Sequence, residues 1–458
     1  MTRQVHTITI EKIVPGGFGI GRREDGMIVF VRHVLPGEKV RIRPTRQKKS
    51  HLLARLEQVL EPSTHRCRPA CELYGKCGGC DLQHAEVGFQ LKLKEDMLRE
   101  SMIRGGFKPD VIARILAPVL PPPTDFGYRQ RIQLHVDDAG RPGFYRHNSH
   151  QIEPVETCLL ARPEINTVWD NLQAATTAAK LFRLANSIEL LFNPSTGKVI
   201  VLFNYTRKPR PADRILAEKL SGETGGIDQI LFQVEGYGCF ALEDRYKKPS
   251  LPPFLKLTLP AATTGIDELV LTWEAGGFCQ VNVEQNHNLI NTVLSMARSG
   301  PHDRILDLYC GMGNFSLPLS LHAGNVIGLE GQGSAVRSAK RNVTLNKKLL
   351  QKHPDKSPAL NCHFTKISVP AGVRQLIQAG RKFDLVLLDP PRQGAAEIIP
   401  HLATLEAARL LYISCDPATL IRDLTGLQRQ GYTVSQMQPI DMFPQTHHLE
   451  TITLLERR

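Results

Sequence analysis

Fourteen residues carry the most chemistry for their length: Leu411 to Leu424, reading Leu-Tyr-Ile-Ser-Cys-Asp-Pro-Ala-Thr-Leu-Ile-Arg-Asp-Leu. The apolar run Ala408 to Ile413 reads as a buried strand. Cys415 falls where that strand should end. Asp416 is a good N-cap and Pro417 suits the first helical position, so a helix is expected to begin there. A thiol facing a helix N-terminus meets partial positive charge, which favours thiolate. The carboxyl end of a parallel strand is also where α/β sheets bind ligands. The competing reading is plain packing, because free cysteine is among the most buried residue types.

A second set of thiols lies far upstream. Cys67 is followed by Cys71, Cys77 and Cys80, with Gly78 and Gly79 between the last two. Glycine lets the backbone wrap closely around something small. Thiols this dense point to a metal centre, either tetrahedral zinc or an iron–sulfur cluster. If Cys67 is not a ligand, a fourth must come from elsewhere, and Cys158 is the next cysteine in sequence. The chain has ten cysteines and no signal-peptide h-region, so it reads as cytosolic, where metal or catalysis precedes disulfides. Cys239 reads as packing.

Carboxylates and glycines follow a third pattern. The stretch Arg304-Ile-Leu-Asp-Leu-Tyr-Cys-Gly311-Met-Gly313-Asn314 reads as a buried strand, a glycine turn and a helix start. Glu330 ends the next strand, 19 residues after Gly311, where an acid can take a ribose hydroxyl pair. A third glycine is missing, which argues against a dinucleotide pyrophosphate and for S-adenosylmethionine. Phe278-Cys-Gln280-Val-Asn282 precedes a helix over 285–296. Phe383 to Leu388 ends in Asp389-Pro-Pro-Arg392-Gln-Gly394. His447-His448-Leu449-Glu450 precedes the final strand, Thr451 to Leu455. Strands alternating with helices describe a doubly wound sheet, and its ends can bring Asp389, Cys415 and Glu450 to one crevice.

The elements around these residues suggest two further units. Lys and Arg exceed Asp and Glu by 57 to 45. Residues 1–60 hold twelve basic and five acidic residues, a net of +7, which suits a polyanion, nucleic acid first. There Thr7 to Val14, Met27 to Val31 and Lys39 to Pro44 read as strands of a small barrel. Gly16, Gly17, Gly19 and Gly21 read as one flexible turn. Arg41, Arg43, Arg46, Lys48 and Lys49 would form a basic edge for phosphates. Gly88 to about Ile115 reads as helix, and Pro118 to Pro123 as a joint. Mixed helix and strand then run to about Trp273, where Arg129, Arg131 and Arg146 either meet phosphates or are merely solvated. No apolar run approaches the roughly 18 residues of a membrane helix. Three units are expected: a barrel over 1–62, a central α/β unit over 63–273, and a Rossmann-like α/β unit over 274–458.

Together these motifs resemble the uracil-C5 RNA methyltransferase family, most of all its 23S ribosomal RNA branch. The N-terminal segment resembles a TRAM domain, a small RNA-binding barrel. The resemblance covers nearly the whole chain. It implies that Gln280, Tyr309, Asn314, Glu330 and Asp389 line an S-adenosylmethionine site. It implies Cys415 as nucleophile, Glu450 as base, and a [4Fe–4S] cluster on Cys71, Cys77, Cys80 and Cys158. The implied partner is RNA, with 23S ribosomal RNA first and no membrane or obligate protein partner. In such a reaction a thiolate adds to carbon 6 of uracil, which makes carbon 5 nucleophilic, and a base later removes the carbon 5 proton. Three departures stand out. Asp416 replaces an asparagine common in the family, and its charge opposes a low pKa for Cys415. The family's polar contact after the third strand falls near Ile367 or Ser368. Cys67 is extra. The rivals are a uracil methylase of transfer RNA and a non-catalytic RNA-binding protein with a degenerate methylase fold; intact Cys415 and Glu450 argue against the second.

Overall fold

In the computed structural model the residues described are 5–242, 252–264, 269–351 and 360–457. The N-terminal strands alternate buried and exposed positions, as half-buried strands do. His6–Val14, Phe18–Arg22, Ile28–Arg32, Lys39–Gln47 and His51–Glu61 close into a barrel. Ile8, Ile10, Val29, Val31, Val40, Ile42 and Leu52 fill it. The glycine stretch is not one turn. Only Gly16 and Gly17 turn, with φ of +94° and +73°. Gly19 and Gly21 lie within the second strand, because a Cβ there would come within 2.3 Å of Val34 Cγ2 or 2.5 Å of the Thr9 carbonyl oxygen. They serve close packing rather than flexibility.

The expected single helix after the cysteines is two, Val87–Arg104 and Pro109–Ile115. Gly106, at φ +88°, breaks it. Leu98, Met102, Phe107, Ile112 and Ile115 share one apolar core with the C-terminal sheet. In sequence, a seven-stranded sheet comes between these helices and the C-terminal sheet, ordered Gly238–Ala241, Ile227–Val234, Lys198–Tyr205, Ala185–Asn193, Arg131–Val136, Pro142–Tyr145 and Ile152–Pro154. Cys239 is buried in it.

Buried apolar strands form the C-terminal sheet, as both-faces-covered parallel strands require. We label them β1 (Arg304–Leu308), β2 (Asn325–Glu330), β3 (Cys362–Lys366), β4 (Leu385–Leu388), β5 (Arg409–Ser414), β6 (Tyr432–Ile440) and β7 (Glu450–Arg457). Their order is β3-β2-β1-β4-β5-β7-β6. The first five are parallel, and β7 runs antiparallel between β5 and β6. Among the described residues, no helix is long and apolar enough to cross a membrane.

Candidate active site

The strand register brings Cys415 to Glu450. Ser414, the last residue of β5, pairs with Thr451 of β7 in antiparallel register. One step outward along the two strands lie Cys415 and Glu450, and the Glu450 carboxyl acts on the Cys415 thiol. The helix expected after Cys415 runs Pro417–Gln428, and the Asp416 side chain accepts from the Thr419 N–H at 2.9 Å. Asp389 follows β4, the neighbour of β5. Three sheet ends thus bring Asp389, Cys415 and Glu450 into one electrostatic group.

The helix N-terminus does not make Cys415 acidic. Burial pushes its thiol up to about 11, and the nearby Glu450 adds to this; Arg392 opposes, while Asp389 and Asp416 push further up. The expectation of a favoured thiolate is corrected for the free protein, because desolvation and carboxylates outweigh the helix end. Burial also raises Asp389 to about 7, with Glu330 assisting. Glu450 is pushed well above the ordinary carboxylate range, by burial first and then by Asp389. Arg392 is the cation among these groups, and its Nη2 reaches His448 Nε2 at 3.4 Å.

A cavity of about 280 Å³ opens at the thiol, walled by Lys94, Arg392, Cys415, Pro417 and His448, and by Pro15 and Gly16 of the barrel. At about 30 Å³ per water it has room for roughly nine waters, enough for a flat ring of eight heavy atoms. Lys94 is fully buried and is held by Asp441 at 2.6 Å.

Of the remaining candidates, Tyr309, Asn314 and Glu330 belong to the glycine turn after β1 or contact it, whereas Gln280 meets Gln130. Glu330 Oε2 accepts from the Gly311 N–H at 3.2 Å, and Oε1 accepts from the Gln332 N–H at 2.7 Å. Tyr309 has φ +64°. Asn314 exchanges two side-chain hydrogen bonds with Asn286, each 2.9 Å. The Gln280 carbonyl accepts from Gln130 at 2.6 Å. Asn282 then caps the helix Val283–Ala297. Asp307 of β1 was not singled out as a site residue. It is buried, raised to about 8 chiefly by that burial, and hydrogen-bonded to Ser316. Among the described residues its Oδ1 has no partner. Arg392 was likewise missed as a site residue, although it stands inside the Asp389-to-Gly394 motif. Ser368 only begins the helix Val369–Gln378, without a side-chain cap, and the Ile367 N–H donates to the Glu330 carbonyl.

A separate cavity of about 820 Å³ holds the other thiols. Cys71, Cys77, Cys80 and Cys158 line it, all unpaired. Burial pushes Cys77 up to about 11 and Cys80 to about 12, and neighbouring thiols of the same set raise both further. Cys158 rises by burial too, with Cys71 adding to it. Cys279 touches the same wall, but it takes a hydrogen bond from Gln130 at 3.7 Å. Cys67 is absent from this wall and turns its thiol to the Gln83 carbonyl at 3.4 Å. Arg129, a candidate phosphate contact, instead sets its charge against Cys80 and Cys158. Its Nε is closed to solvent and has no partner among the described residues. Arg131 pairs with Glu189 at 2.6 Å and Arg146 with Glu153 at 2.6 Å. Arg131 and Arg146 are thus tied up in ion pairs. Among the described residues, no group of three or more His, Cys, Asp or Glu is arranged to hold a single metal ion.

Similar proteins decide the family. The family model for tRNA (Uracil-5-)-methyltransferase matches residues 265–458, and that of the TRAM domain matches residues 1–56. The chain is 33% identical to the 23S rRNA (uracil(1939)-C(5))-methyltransferase RlmD of Mannheimia succiniciproducens, over 96% of this chain and 93% of that one. The chain belongs to the RNA uracil-C5 methyltransferase family. The Pseudomonas aeruginosa protein of the same name is also 33% identical, over 98% of this chain and 93% of its own. In fold the chain is similar to the Pyrococcus abyssi tRNA (uracil-54, C5)-methyltransferase solved with S-adenosyl-L-homocysteine. There the TM-score is 0.69 and the identity 22%, over 98% of this chain and all of that one. The methyltransferase sheet and the TRAM barrel described above are those of this family.

Proposed function

We propose that this chain methylates carbon 5 of a uridine in 23S ribosomal RNA, with Cys415 as nucleophile and Glu450 as base. The observation that carries this reading is the pairing of Ser414 with Thr451, which sets the buried Glu450 carboxyl near a thiol that lines a base-sized cavity. S-adenosylmethionine, when bound, supplies the electrophilic methyl group. The residues present fit it: the Glu330 carboxylate at the glycine turn, the neighbouring Asp389, and the orphaned Oδ1 of Asp307. Gln280, Tyr309 and Asn314 complete the proposed site.

The steps of this chain's residues follow from their chemistry. Cys415 sulfur forms a bond to carbon 6, and the ring's electron pair moves to the carbonyl oxygen at carbon 4. Arg392, the positive charge acting on Cys415, favours the thiolate this needs. Carbon 5 then carries the electron density for methylation. Glu450 removes the carbon 5 proton, the carbon 5–carbon 6 double bond reforms, and the thiolate leaves. A carboxyl raised by burial is a better base than an exposed one, because its affinity for the proton is higher.

The cysteine cavity fits a [4Fe–4S] cluster on Cys71, Cys77, Cys80 and Cys158. Zinc needs four ligands about one point, whereas each thiolate of a cubane holds its own iron around a shared cage. The Arg129 guanidinium suits the negative charge of a thiolate-bound cluster. Methyl transfer moves no net electrons, so this reading assigns the cluster a bracing role. The TRAM barrel supports RNA as partner, and Arg46, Lys48 and Lys49 of its edge make no ion pair among the described residues. Ribosomal RNA would place the protein in the cytoplasm.

Relatives at 33% identity are named for 23S ribosomal RNA, which favours that substrate over transfer RNA. Mapping 5-methyluridine in both RNAs from a deletion strain tests this. Loss from one 23S site is expected; loss confined to transfer RNA would overturn the ribosomal assignment.

A further inference from the structure

The cysteine segment and the reaction centre are physically joined. Asp81 follows Cys80 directly in sequence and is buried. Its Oδ1 accepts from Arg32 Nη1 of the barrel at 2.6 Å. Its Oδ2 lies 2.5 Å from His447 Nδ1. The backbone N–H groups of Asp81 and Leu82 both donate to the Gln445 carbonyl, at 3.0 and 3.1 Å. The Tyr74 hydroxyl donates to the Asp81 carbonyl at 2.6 Å. The barrel turn closes over this contact: a Cβ on Gly17 would lie 3.2 Å from Asp81 Cβ and 3.4 Å from His447 Nδ1.

From His447 the contacts continue inward. Its ring lies 4.1 Å from that of His448. His448 meets Arg392, the cation that acts on both Cys415 and Glu450. Glu450 itself is three residues beyond His447. Three units of the chain, the barrel, the cysteine loop and the methyltransferase sheet, therefore meet on one carboxylate.

We propose that Asp81 is a positioning residue for the methyl-transfer reaction. It fixes the turn from Gln445 to Glu450 against the barrel and the cysteine loop. Through that turn it sets how quickly the Cys415 adduct resolves. Asp81 does not touch the reacting atoms. This rests on the covalent reading of the proposed function. Two side-chain contacts on one buried carboxylate are enough to hold a short turn in one arrangement, since hydrogen bonds to charged groups outweigh neutral ones.

The test uses the full chain in three variants, Asp81→Asn, His447→Gln and the double substitution, with uridine RNA and 5-fluorouridine RNA. Asp81→Asn should lower kcat about tenfold, as loss of a charged hydrogen bond does, while KM stays within about twofold. It should also accumulate methylated RNA on Cys415, seen as a denaturation-resistant band on uridine RNA. His447→Gln removes the same contact without touching the cysteine loop and should do the same. If Asp81 acts through His447, the double variant should be no worse than the poorer single one. Unchanged kcat, a loss lying wholly in KM, or additive losses in the double variant would each overturn the assignment. Wild type that fails to trap 5-fluorouridine RNA would overturn the covalent chemistry instead. Trapping by wild type with normal resolution in Asp81→Asn would overturn the positioning role alone.

Discussion

Two thiol centres in this chain are built by the same force, and the proposed function gives them different uses. Burial pushes Cys77 and Cys415 alike up to about 11. Thiol basicity therefore does not separate ligand from nucleophile; the neighbours do. Around Cys77 and Cys80 the groups that raise the thiol are other thiols, with Arg129 as the balancing charge. Four mutually repelling thiols around one cavity ask for cations between them. Around Cys415 the groups that raise the thiol are carboxyls, with Arg392 opposing. A lone thiol beside a carboxyl, at a cavity wide enough for a base, suits addition followed by proton removal. Cys279 touches the thiol cavity and carboxyls act on Cys310, but neither combines a carboxyl neighbour with the base-sized cavity. Both are buried, Cys310 is raised well above an ordinary thiol, and neither faces the base-sized cavity.

The most direct way to break the comparison is to exchange the consequences. Cys415→Ala should reduce methylation by at least about 10³-fold, form no adduct with 5-fluorouridine RNA, and keep full iron content. Cys80→Ser should do the converse at the metal: bound iron falls towards zero by elemental analysis, while any folded fraction still forms the Cys415 adduct. An adduct surviving in Cys415→Ala would hand the nucleophile's role to another cysteine. Stoichiometric zinc in the wild type would remove the cluster from the comparison.

Glu450→Gln sharpens the catalytic side. Glutamine keeps the size but cannot take the carbon 5 proton. Turnover should fall by about 10²-fold or more, with methylated RNA held on the protein. Glu450 is also the largest charge acting against the Cys415 thiolate. The reacting form is the thiolate, so the rate of trapping 5-fluorouridine RNA should rise with pH towards the Cys415 pKa. Removing the carboxyl should move that limb to lower pH. A limb that stays in place would mean that Glu450 is uncharged whenever Cys415 ionises.

Much of the catalytic unit was legible from sequence because its strands are short apolar runs ending in chemical residues. Glu330, Asp389, Cys415 and Glu450 all sit at sheet ends, as the strand pattern required. The barrel was half legible. Its second strand was hidden because Gly19 and Gly21 look like turn residues, and only tertiary packing against Val34 and Thr9 explains them. Arg129 was left open for a similar reason: a basic residue in a basic chain reads as a phosphate contact or a solvated charge until the burial and the thiols around it are seen. The Cys415 expectation failed differently. Local order gave the helix end correctly, but the burial that dominates the thiol, and the carboxyls at the ends of β4 and β7 that add to it, come from parts distant in sequence. Asp81 carries no local motif at all, and its importance appears only where three units meet.

The barrel edge should show a gentler effect. Arg46, Lys48 and Lys49 are without ion pairs among the described residues, whereas Arg43 is tied to Glu57 at 3.0 Å. Replacing the three free cations with glutamine should weaken RNA binding and reduce the slope of log K against log salt by about two to three. Arg43→Gln should change the slope little, because that charge is already balanced. Deleting the whole barrel is a poorer experiment, since it also removes Pro15, Gly16 and Arg32 from the catalytic side. An unchanged slope in the triple variant would mean that phosphates are held elsewhere.

The smallest effect belongs to Asp416. Its side chain caps the helix Pro417–Gln428 through Thr419, and its charge pushes the neighbouring thiol up. Asn caps about as well as Asp, so Asp416→Asn should leave thermal stability nearly unchanged. What it removes is a negative charge beside Cys415. Among the groups acting on that thiol, Asp416 ranks behind burial, Glu450, Arg392 and Asp389. The pH limb for trapping 5-fluorouridine RNA should therefore shift down by less than about one unit, and by less than in Glu450→Gln. At a pH well below the limb the substitution should speed trapping, because more of Cys415 is thiolate. Slower trapping with an intact fold would mean that Asp416 does more than cap, holding the thiol or the base in place by a contact that asparagine cannot copy.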